Sequence, residues 1–243
     1  MVRFTINEIA KEISESFADL EFIDDTHQYF LEGKELTPVS TVIHKFKPAF
    51  DAEKIALNIA GNEERAEALL EKWEKHTEKA CKYGSKVHSF AESYFYNRTL
   101  VPTDNAERAV VKFYNSLHEK VLPVMCETKV YCQSLGFAGT FDLLCYYYDK
   151  AQQRSGLVIY DFKTNKDLYK NFARKCLYKP FDNLLDMPLS IYQLQLSCYQ
   201  IPLEDLGLDV IARRIVWLKQ DGTFECIKME NYTNTLRNVL SRG

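Results

Sequence analysis

Three charged residues lie in two stretches that otherwise have the composition of β-strands. "GTFDLL" contains Asp142, and "VIYDFKT" contains Asp161 and Lys163. A charge among apolar side chains is strongly unfavourable unless it has a partner. The partner can be an opposite charge in a buried ion pair, or it can be a metal ion.

Strand geometry places the three side chains relative to one another. Asp161 and Lys163 are two residues apart and share one face of their strand. If the strand that contains Asp142 is the neighbour, both carboxylates converge near the strand ends, where they repel each other unless a cation lies between them. Hard oxygen ligands without a cage of cysteines or histidines suit Mg²⁺ or Mn²⁺.

Lys163 would then be placed to orient or deprotonate a water, or to neutralise charge on a phosphate. These roles belong to metal-assisted phosphodiester hydrolysis. A simpler interpretation is a surface ion pair between Asp161 and Lys163 on an edge strand, with Asp142 capping a turn.

Two segments of helical periodicity add further polar groups. "KYGSKVHSFAESYF" places His88 and Glu92 four residues apart on one helix face. "YQLQLSCYQ" places Tyr192, Gln195 and Tyr199 on one stripe. His88 is either a structural histidine or a partner of the carboxylates. The amide and the phenols are either the polar side of a helix or a link between the carboxylates and a nucleic-acid backbone.

A basic segment, "KTNKDLYKNFARKCLYK", follows Asp161 and is predicted to form a helix. Its cations recur at i, i+4 and i+8 with aromatic residues between them. Such a face suits the backbone and the bases of a single strand, although a solvated helix face has the same pattern. The cations are Lys166, Lys170 and Arg174, and the aromatic residues are Tyr169, Phe172 and Tyr178.

The N-terminal half is predicted to be mainly helical. Residues 6–18 indicate an amphipathic helix, and "EFIDDTHQYFLEGKELTPVSTVIHKF" indicates a hairpin that turns at 32–34, followed by a helix capped by Ser40 or Thr41. Residues 52–98 favour two or three helices, interrupted at Gly61 and around Tyr83-Gly84, and another helix is expected over 104–119.

The C-terminal half is predicted to contain the sheet. "PVMCETKVYCQ", "FAGTFDLLCYYY" and "LVIYDFK" indicate three consecutive strands, and "ARRIVWLK" and "FECIKME" flank a turn signal at 220–223. The order predicts one mixed α/β (α+β) domain over 1–243, with an N-terminal helix and hairpin in 1–50, a helical part in 51–120, and the sheet with flanking helices in 121–243.

Composition narrows the class of protein. No apolar run is long enough for a signal peptide core or a transmembrane helix, so no secretion and no membrane partner are expected. The seven cysteines are an odd number without CxxC pairs, which favours reduced thiols in a cytosol-like compartment. A net charge of −3 neither indicates nor excludes a nucleic-acid partner.

Four of these motifs occur in an order that resembles the RecB-like branch of the PD-(D/E)XK nuclease superfamily. Its pattern is a Gly-x-x-x-His helix, a Gly-x-x-Asp strand, an Asp/Glu-x-Lys strand and a Gln-x-x-x-Tyr helix. The resemblance covers roughly residues 80–205, and the leading hairpin looks like that of small phage and mitochondrial members. The matching segments are Gly84 to His88, Gly139 to Asp142, Asp161 to Lys163, and Gln195 to Tyr199.

The resemblance implies a restriction-endonuclease-like core with a central mixed sheet, flanking helices and a helical N-terminal insertion. It also implies one or two Mg²⁺ or Mn²⁺ ions, with Lys163 as the catalytic lysine and Glu127 as a supporting acidic residue. Gln195 and Tyr199 would help to position DNA. The implied metal ligands are His88, Asp142, Asp161 and the backbone carbonyl of Phe162.

The implied activity is a DNA exonuclease that prefers single strands or ends, in replication, recombination, repair or phage DNA metabolism, acting in the cytoplasm of a bacterial or phage-infected cell. Replication or recombination proteins are possible partners. The helices of 52–119 would form an arch that threads a free strand. Some relatives hold an iron–sulfur cluster, but the cysteines here lack that grouping, so none is expected. The alternatives are a structure-specific or nicking endonuclease and a non-catalytic nucleic-acid-binding module.

Overall fold

The computed structural model describes residues 5–24, 26–171 and 174–242. These residues form a mixed α/β architecture in which an eight-stranded mixed sheet has helices packed on both faces. The mixed α/β class with a central sheet and flanking helices is therefore confirmed. None of the helices in the described ranges has both the length and the apolar character needed to cross a membrane.

The sheet is built around three long central strands. β5 pairs antiparallel with β4 and β6, β6 pairs parallel with β7, and β7 pairs antiparallel with β8. The N-terminal strands β1, β2 and β3 form an antiparallel unit that joins the edge of β5 through β3. The strand bounds are β1 Leu20–Ile23, β2 Gln28–Leu31, β3 Lys34–Pro38, β4 Val121–Cys132, β5 Phe137–Asp149, β6 Arg154–Lys163, β7 Val210–Leu218 and β8 Phe224–Lys228.

One edge of β5 is shared by two strands and leaves a gap between them. β3 pairs with β5 only at Phe137 and Ala138. β6 pairs with β5 from Leu143 onward, where Leu143 lies opposite Tyr160. Residues 139–142 of β5 therefore lie between the two partners, and β6 continues past this point toward Lys163.

The helices form one layer on each side of the sheet. Their bounds are α1 Ile6–Ser16, α2 Val39–His44, α3 Ala52–Ala60, α4 Glu63–Tyr96, α5 Asn105–Ser116, α6 Pro188–Asp205 and α7 Thr233–Leu240. One apolar core joins α1, α2, α6 and α7 to the sheet, and a second core joins α4 and α5 to its opposite face. The side chains of β6 divide between the cores, since Ile159 belongs to the first and Val158 and Tyr160 belong to the second.

The longest helix, α4, follows the sequence pattern at one end only. Gly61 has a left-handed φ of 77° and ends α3, as predicted, and Asn62 caps α4 by accepting a hydrogen bond from the Arg65 backbone N–H. The predicted interruption at Tyr83-Gly84 is wrong, because α4 runs through both residues to Tyr96. A single glycine costs a helix only about 1 kcal/mol, which the helix formers around it offset.

Two other local predictions are corrected by the structure. α2 begins at Val39, directly after Pro38, so Ser40 and Thr41 lie inside the helix and do not cap it. The predicted basic helix after β6 is absent, since the described residues 164–171 and 174–187 contain no helix. The Asp167 carboxylate accepts a hydrogen bond from the Tyr169 backbone N–H, and such side-chain bonds compete with helix formation.

The segment between α2 and the middle of α4 connects the two helical layers. It leaves the first core at Phe46, which packs against Phe181, and it enters the second core at Val87. Residues 74–83 of α4 are all exposed. α4 then passes close to the end of β6, because a Cβ added at Gly84 would lie 3.9 Å from the Thr164 hydroxyl.

Candidate functional site

Asp142 lies in the gap on the edge of β5, where β6 diverges. Its Oδ2 atom accepts a hydrogen bond of 2.5 Å from the Phe162 backbone N–H. Its Oδ1 atom lies 3.3 Å from Nδ1 of His88. One carboxylate oxygen thus accepts the hydrogen bond that a backbone carbonyl would accept in a sheet ladder. The other oxygen faces α4.

Glu127 lies on β4, in the register position between the pairs Cys126–Leu143 and Thr128–Phe141. Its φ of 44° is in the left-handed region, and it is the one such non-glycine residue inside a strand of the described ranges. L-residues adopt this conformation at a cost of about 1–3 kcal/mol. The distortion accompanies the approach of the Glu127 Oε1 atom to within 3.6 Å of His88 Nδ1.

His88, Glu127 and Asp142 form one compact group, with a ligand atom of each within 4.8 Å of the other two. The negative charge of Asp142 and hydrogen bonds to both carboxylates outweigh burial and raise the pKa of His88 to about 10. Burial opposes the ionisation of Asp142, but the positive charges of His88 and Lys163 hold its pKa below the usual range. Burial raises the pKa of Glu127. The two carboxylates of the group are therefore placed to share one positive charge between them.

Asp161 and Lys163 form a buried ion pair beside this group. Asp161 is 2% exposed, and its Oδ2 atom lies 2.5 Å from the Lys163 ammonium. Burial and the charge of Asp142 raise the pKa of Asp161 to about 6. Burial alone would lower the pKa of Lys163, but the two carboxylates reverse the effect and raise it.

The position of this pair excludes the interpretation as a surface ion pair, because β6 is a central strand between β5 and β7. Asp161 lies outside the compact group, although its ionisation responds to Asp142. The Asp161 Oδ2 atom accepts no well-aligned hydrogen bond from any described residue, even with the ammonium so close. The predicted roles of Asp161 and of the Phe162 carbonyl as metal ligands stay predictions.

A tyrosine ring, itself bonded to an asparagine, lies against the ammonium of Lys163. The Lys163 Nζ atom lies 4.5 Å from the centre of the Tyr192 ring, which gives a favourable cation–π contact. The Tyr192 hydroxyl donates a hydrogen bond of 2.8 Å to the Asn165 side chain. The lysine is therefore fixed on one side by Asp161 and on the other by an aromatic ring.

Gln195 and Tyr199 lie on α6 next to the carboxylates. The Gln195 amide donates a hydrogen bond of 2.5 Å to the Tyr199 hydroxyl, and Tyr199 is 4% exposed. Burial raises the pKa of Tyr199 well above its usual value. A Cβ at Gly139 would lie 2.6 Å from the Tyr199 ring, so this glycine permits the close approach of α6 to β5. Roles of Gln195 and of the buried Tyr199 in positioning DNA stay predictions.

The three predicted cations Lys166, Lys170 and Arg174 are exposed, in the irregular segment that follows Lys163. They do not share a helical face, because the described residues of this segment form no helix. Phe172, one of the aromatic residues between them, lies outside the described residues. A role of the cations in binding DNA stays a prediction that rests on charge and on nearness to β6.

The sequence did not identify two residues beside Lys163. Trp217 lies opposite Lys163 in the parallel register of β6 and β7. Its indole N–H donates a hydrogen bond of 2.7 Å to the Asn165 carbonyl. Neither Trp217 nor Asn165 belongs to a recognisable motif, and a parallel register between strands almost fifty residues apart is not readable from periodicity.

The sequence matches no model of a protein family, and no curated protein is significantly similar to it.

Proposed function

We propose that this chain is a metal-dependent DNA exonuclease with a restriction-endonuclease-like core of the RecB-like type. The observation that carries the proposal is the position of the His88–Glu127–Asp142 group beside the buried Asp161–Lys163 pair. The two charge clusters meet where β5 and β6 diverge. A group of possible ligands next to a fixed ammonium suits the hydrolysis of a phosphodiester.

The donor set of the group fits a hard divalent cation. Two carboxylates would hold it together with the imidazole nitrogen of His88, which must give up its proton to the solvent when the ion binds. The carboxylates suit Mg²⁺ or Mn²⁺, and the imidazole favours Mn²⁺ of the two. The strained backbone at Glu127 supports this assignment, since strain of this kind is concentrated at functional sites. When bound, such an ion lowers the pKa of a coordinated water and stabilises negative charge on a phosphate.

Lys163 supplies a fixed positive charge. The carboxylates of Asp161 and Asp142 raise its pKa, and we assign the ammonium the role of stabilising charge on the scissile phosphate. Asp161 and Tyr192 hold the ammonium in place. Asp142 orients His88 and, through the Phe162 backbone N–H, the end of β6 that carries Lys163.

The preference for exonuclease action rests on the resemblance, in which the helices of 52–119 form an arch that threads a free strand. Residues 47–86 join the two helical layers next to the end of β6, where such an arch would lie. A nicking or structure-specific endonuclease would use the same residues, and a binding module would not need them. Cleavage of circular DNA distinguishes an endonuclease from an exonuclease. Cleavage of any DNA distinguishes both nucleases from a binding module.

The test is digestion of end-labelled single-stranded, linear duplex and circular DNA with Mg²⁺ or Mn²⁺. Wild type is compared with Lys163→Ala, with an EDTA control and with Lys34→Ala, which alters an exposed lysine of the hairpin. We expect metal-dependent loss of linear strands, intact circles, and at least a hundredfold slower cleavage by Lys163→Ala alone. Cleavage of circles would favour the endonuclease. An undiminished rate in Lys163→Ala would refute the site, and no cleavage of any substrate would refute the activity.

A further inference from the structure

We propose that Tyr169, held against Trp217 beside Lys163, is a stacking platform for a nucleobase that flanks the scissile phosphate. This inference rests on the proposed function and names a recognition element for its substrate, a single strand with unpaired bases. It adds a binding site on the face of the sheet that carries Asp161 and Lys163.

The platform starts at Trp217. This residue is opposite Lys163 in the sheet register, so the two residues lie on neighbouring strands about 5 Å apart. The indole is fixed by its hydrogen bond to the Asn165 carbonyl. The Lys219 ammonium lies 5.0 Å from the centre of its ring and also pairs with Glu225.

Tyr169 packs edge-on against this fixed indole. The ring centres are 6.2 Å apart with an interplanar angle of 71°. The Tyr169 backbone N–H donates to the Asp167 carboxylate, and the neighbouring Leu168 is fully buried. Tyr169 nevertheless remains 49% exposed. An anchored ring with half its surface in water can stack on a base at a small entropic cost, whereas a free side chain would first have to be ordered.

A continuous set of contacts links the platform to the reactive centre. Asn165 bonds Trp217 through its carbonyl and Tyr192 through its side chain, and the Tyr192 ring lies under the Lys163 ammonium. A strand whose phosphate faces Lys163 would therefore have an adjacent base within reach of Tyr169. Stacking on an aromatic ring tolerates any base, as digestion of arbitrary sequence requires.

The test measures binding of a short oligothymidylate by tryptophan fluorescence. The chain has two tryptophans, and Trp73→Phe leaves Trp217 as the reporter beside the platform. Lys163→Ala in the same chain prevents digestion when Mg²⁺ is present. Tyr169→Ala and Tyr169→Phe are compared in this background, and Tyr178→Ala is the matched control because Tyr178 is 54% exposed in the same irregular segment.

We expect the oligonucleotide to change the Trp217 emission, and Tyr169→Ala to weaken binding about tenfold, while Tyr169→Phe and Tyr178→Ala bind as before. An abasic residue is then placed at each position of the oligonucleotide in turn. At one position it should weaken binding by a similar factor when Tyr169 is present, and at that position it should not weaken binding to Tyr169→Ala. Unchanged affinity in Tyr169→Ala, with the abasic penalty retained, would overturn the platform but not the nuclease. Absence of both binding and cleavage by the unmodified chain would overturn the nuclease and the platform together.

Discussion

Glu127 combines a strained backbone with a side chain that points at the proposed ligands. Its left-handed φ occurs within β4, where an extended backbone would satisfy the ladder. Such a conformation persists only when surrounding contacts over-determine it. The Glu127 side chain contacts His88, so its strained backbone and its position as a proposed ligand belong to one arrangement.

Replacement of Glu127 by glycine and by alanine separates strain from function. Both variants lose the carboxylate, but only glycine adopts a positive φ without a steric penalty. We expect Glu127→Gly to be more stable than Glu127→Ala by about 1 kcal/mol in urea unfolding. Mn²⁺ should stabilise both variants against unfolding less than it stabilises wild type. Equal stability of the two variants, or the reverse order, would contradict the strained backbone at this residue.

Removal of charge from Asp142 tests the metal group independently of cleavage. A ligand that binds only the folded state raises the midpoint of thermal unfolding, so Mn²⁺ should stabilise wild type. Asp142→Asn should abolish this shift, because the amide is a poor ligand for a hard cation. Asp182→Asn, at an exposed site, is the control and should retain it. A full Mn²⁺ shift in Asp142→Asn would place the ion elsewhere.

At the scale of helices and strands, two glycines that each begin a sequence motif differ in the space around them. Gly139 lies under the Tyr199 ring and the Val39 side chain, and an added Cβ would be 2.6 Å from the first and 3.1 Å from the second. Gly84 is inside α4, and its nearest neighbour would be 3.9 Å away. Packing therefore requires the first glycine and not the second.

Alanine at the two positions should have opposite effects on stability. Gly139→Ala forces α6 or α2 away from β5 and is expected to cost about 1–3 kcal/mol. Gly84→Ala improves helix propensity and should add about 0.5–1 kcal/mol. Chemical unfolding of the two variants measures both effects. Destabilisation by Gly84→Ala would show that α4 lies closer to its neighbours than described.

The turn between β5 and β6 provides a pH test. The Asp149 carboxylate is bonded to the Lys120 ammonium, to the backbone N–H groups of Ala151 and Gln152, and to the Tyr147 hydroxyl. The bond from Lys120 is the largest of the effects that lower the pKa of Asp149 to about 2. Because the pKa is lower in the folded state, the carboxylate stabilises the fold above its unfolded pKa of about 3.9, and the contribution is lost as the pH falls toward 2.

Wild type should therefore exceed Asp149→Asn in free energy of unfolding by a constant amount above about pH 5, and the difference should shrink between pH 4 and pH 2. Urea titrations at a series of pH values measure this difference. A difference that grows as the pH falls would show that the carboxylate is not held in its ionised form.

The elements differ in how far the sequence could predict them. The strands of Asp142 and Asp161 were predictable from their composition, and the faces of β6 followed from alternation. The segment around Lys170 was not predictable, because charge spacing favoured a helix while the Asp167 carboxylate bonds the backbone instead. The left-handed Glu127 and the pairing of Lys163 with Trp217 depend on tertiary contacts that no local pattern encodes.

At the scale of the whole molecule, stability is expected to be uneven. β5, β6 and β7 lie between two apolar cores, whereas residues 74–83 of α4 are all exposed. Local opening is easiest where few apolar contacts are lost. Backbone amides of 74–83 should exchange hydrogen at least tenfold faster than those of 157–162, as measured by mass spectrometry of peptides. Equal protection would mean that another surface covers this part of α4.

α4 is a single 34-residue helix that contains both His88 and the exposed segment next to the end of β6. Residues 63–83 alone span about 30 Å. Because the helix is continuous, displacement of its exposed half would also shift the His88 imidazole. Glu127 and Asp142 would not move with it, since they are fixed on the sheet. Affinity for the cation and affinity for a strand under α4 should then be thermodynamically linked, each changing the other by the same factor. Under the proposed function, such linkage would tie the loading of the cation site to the presence of a strand.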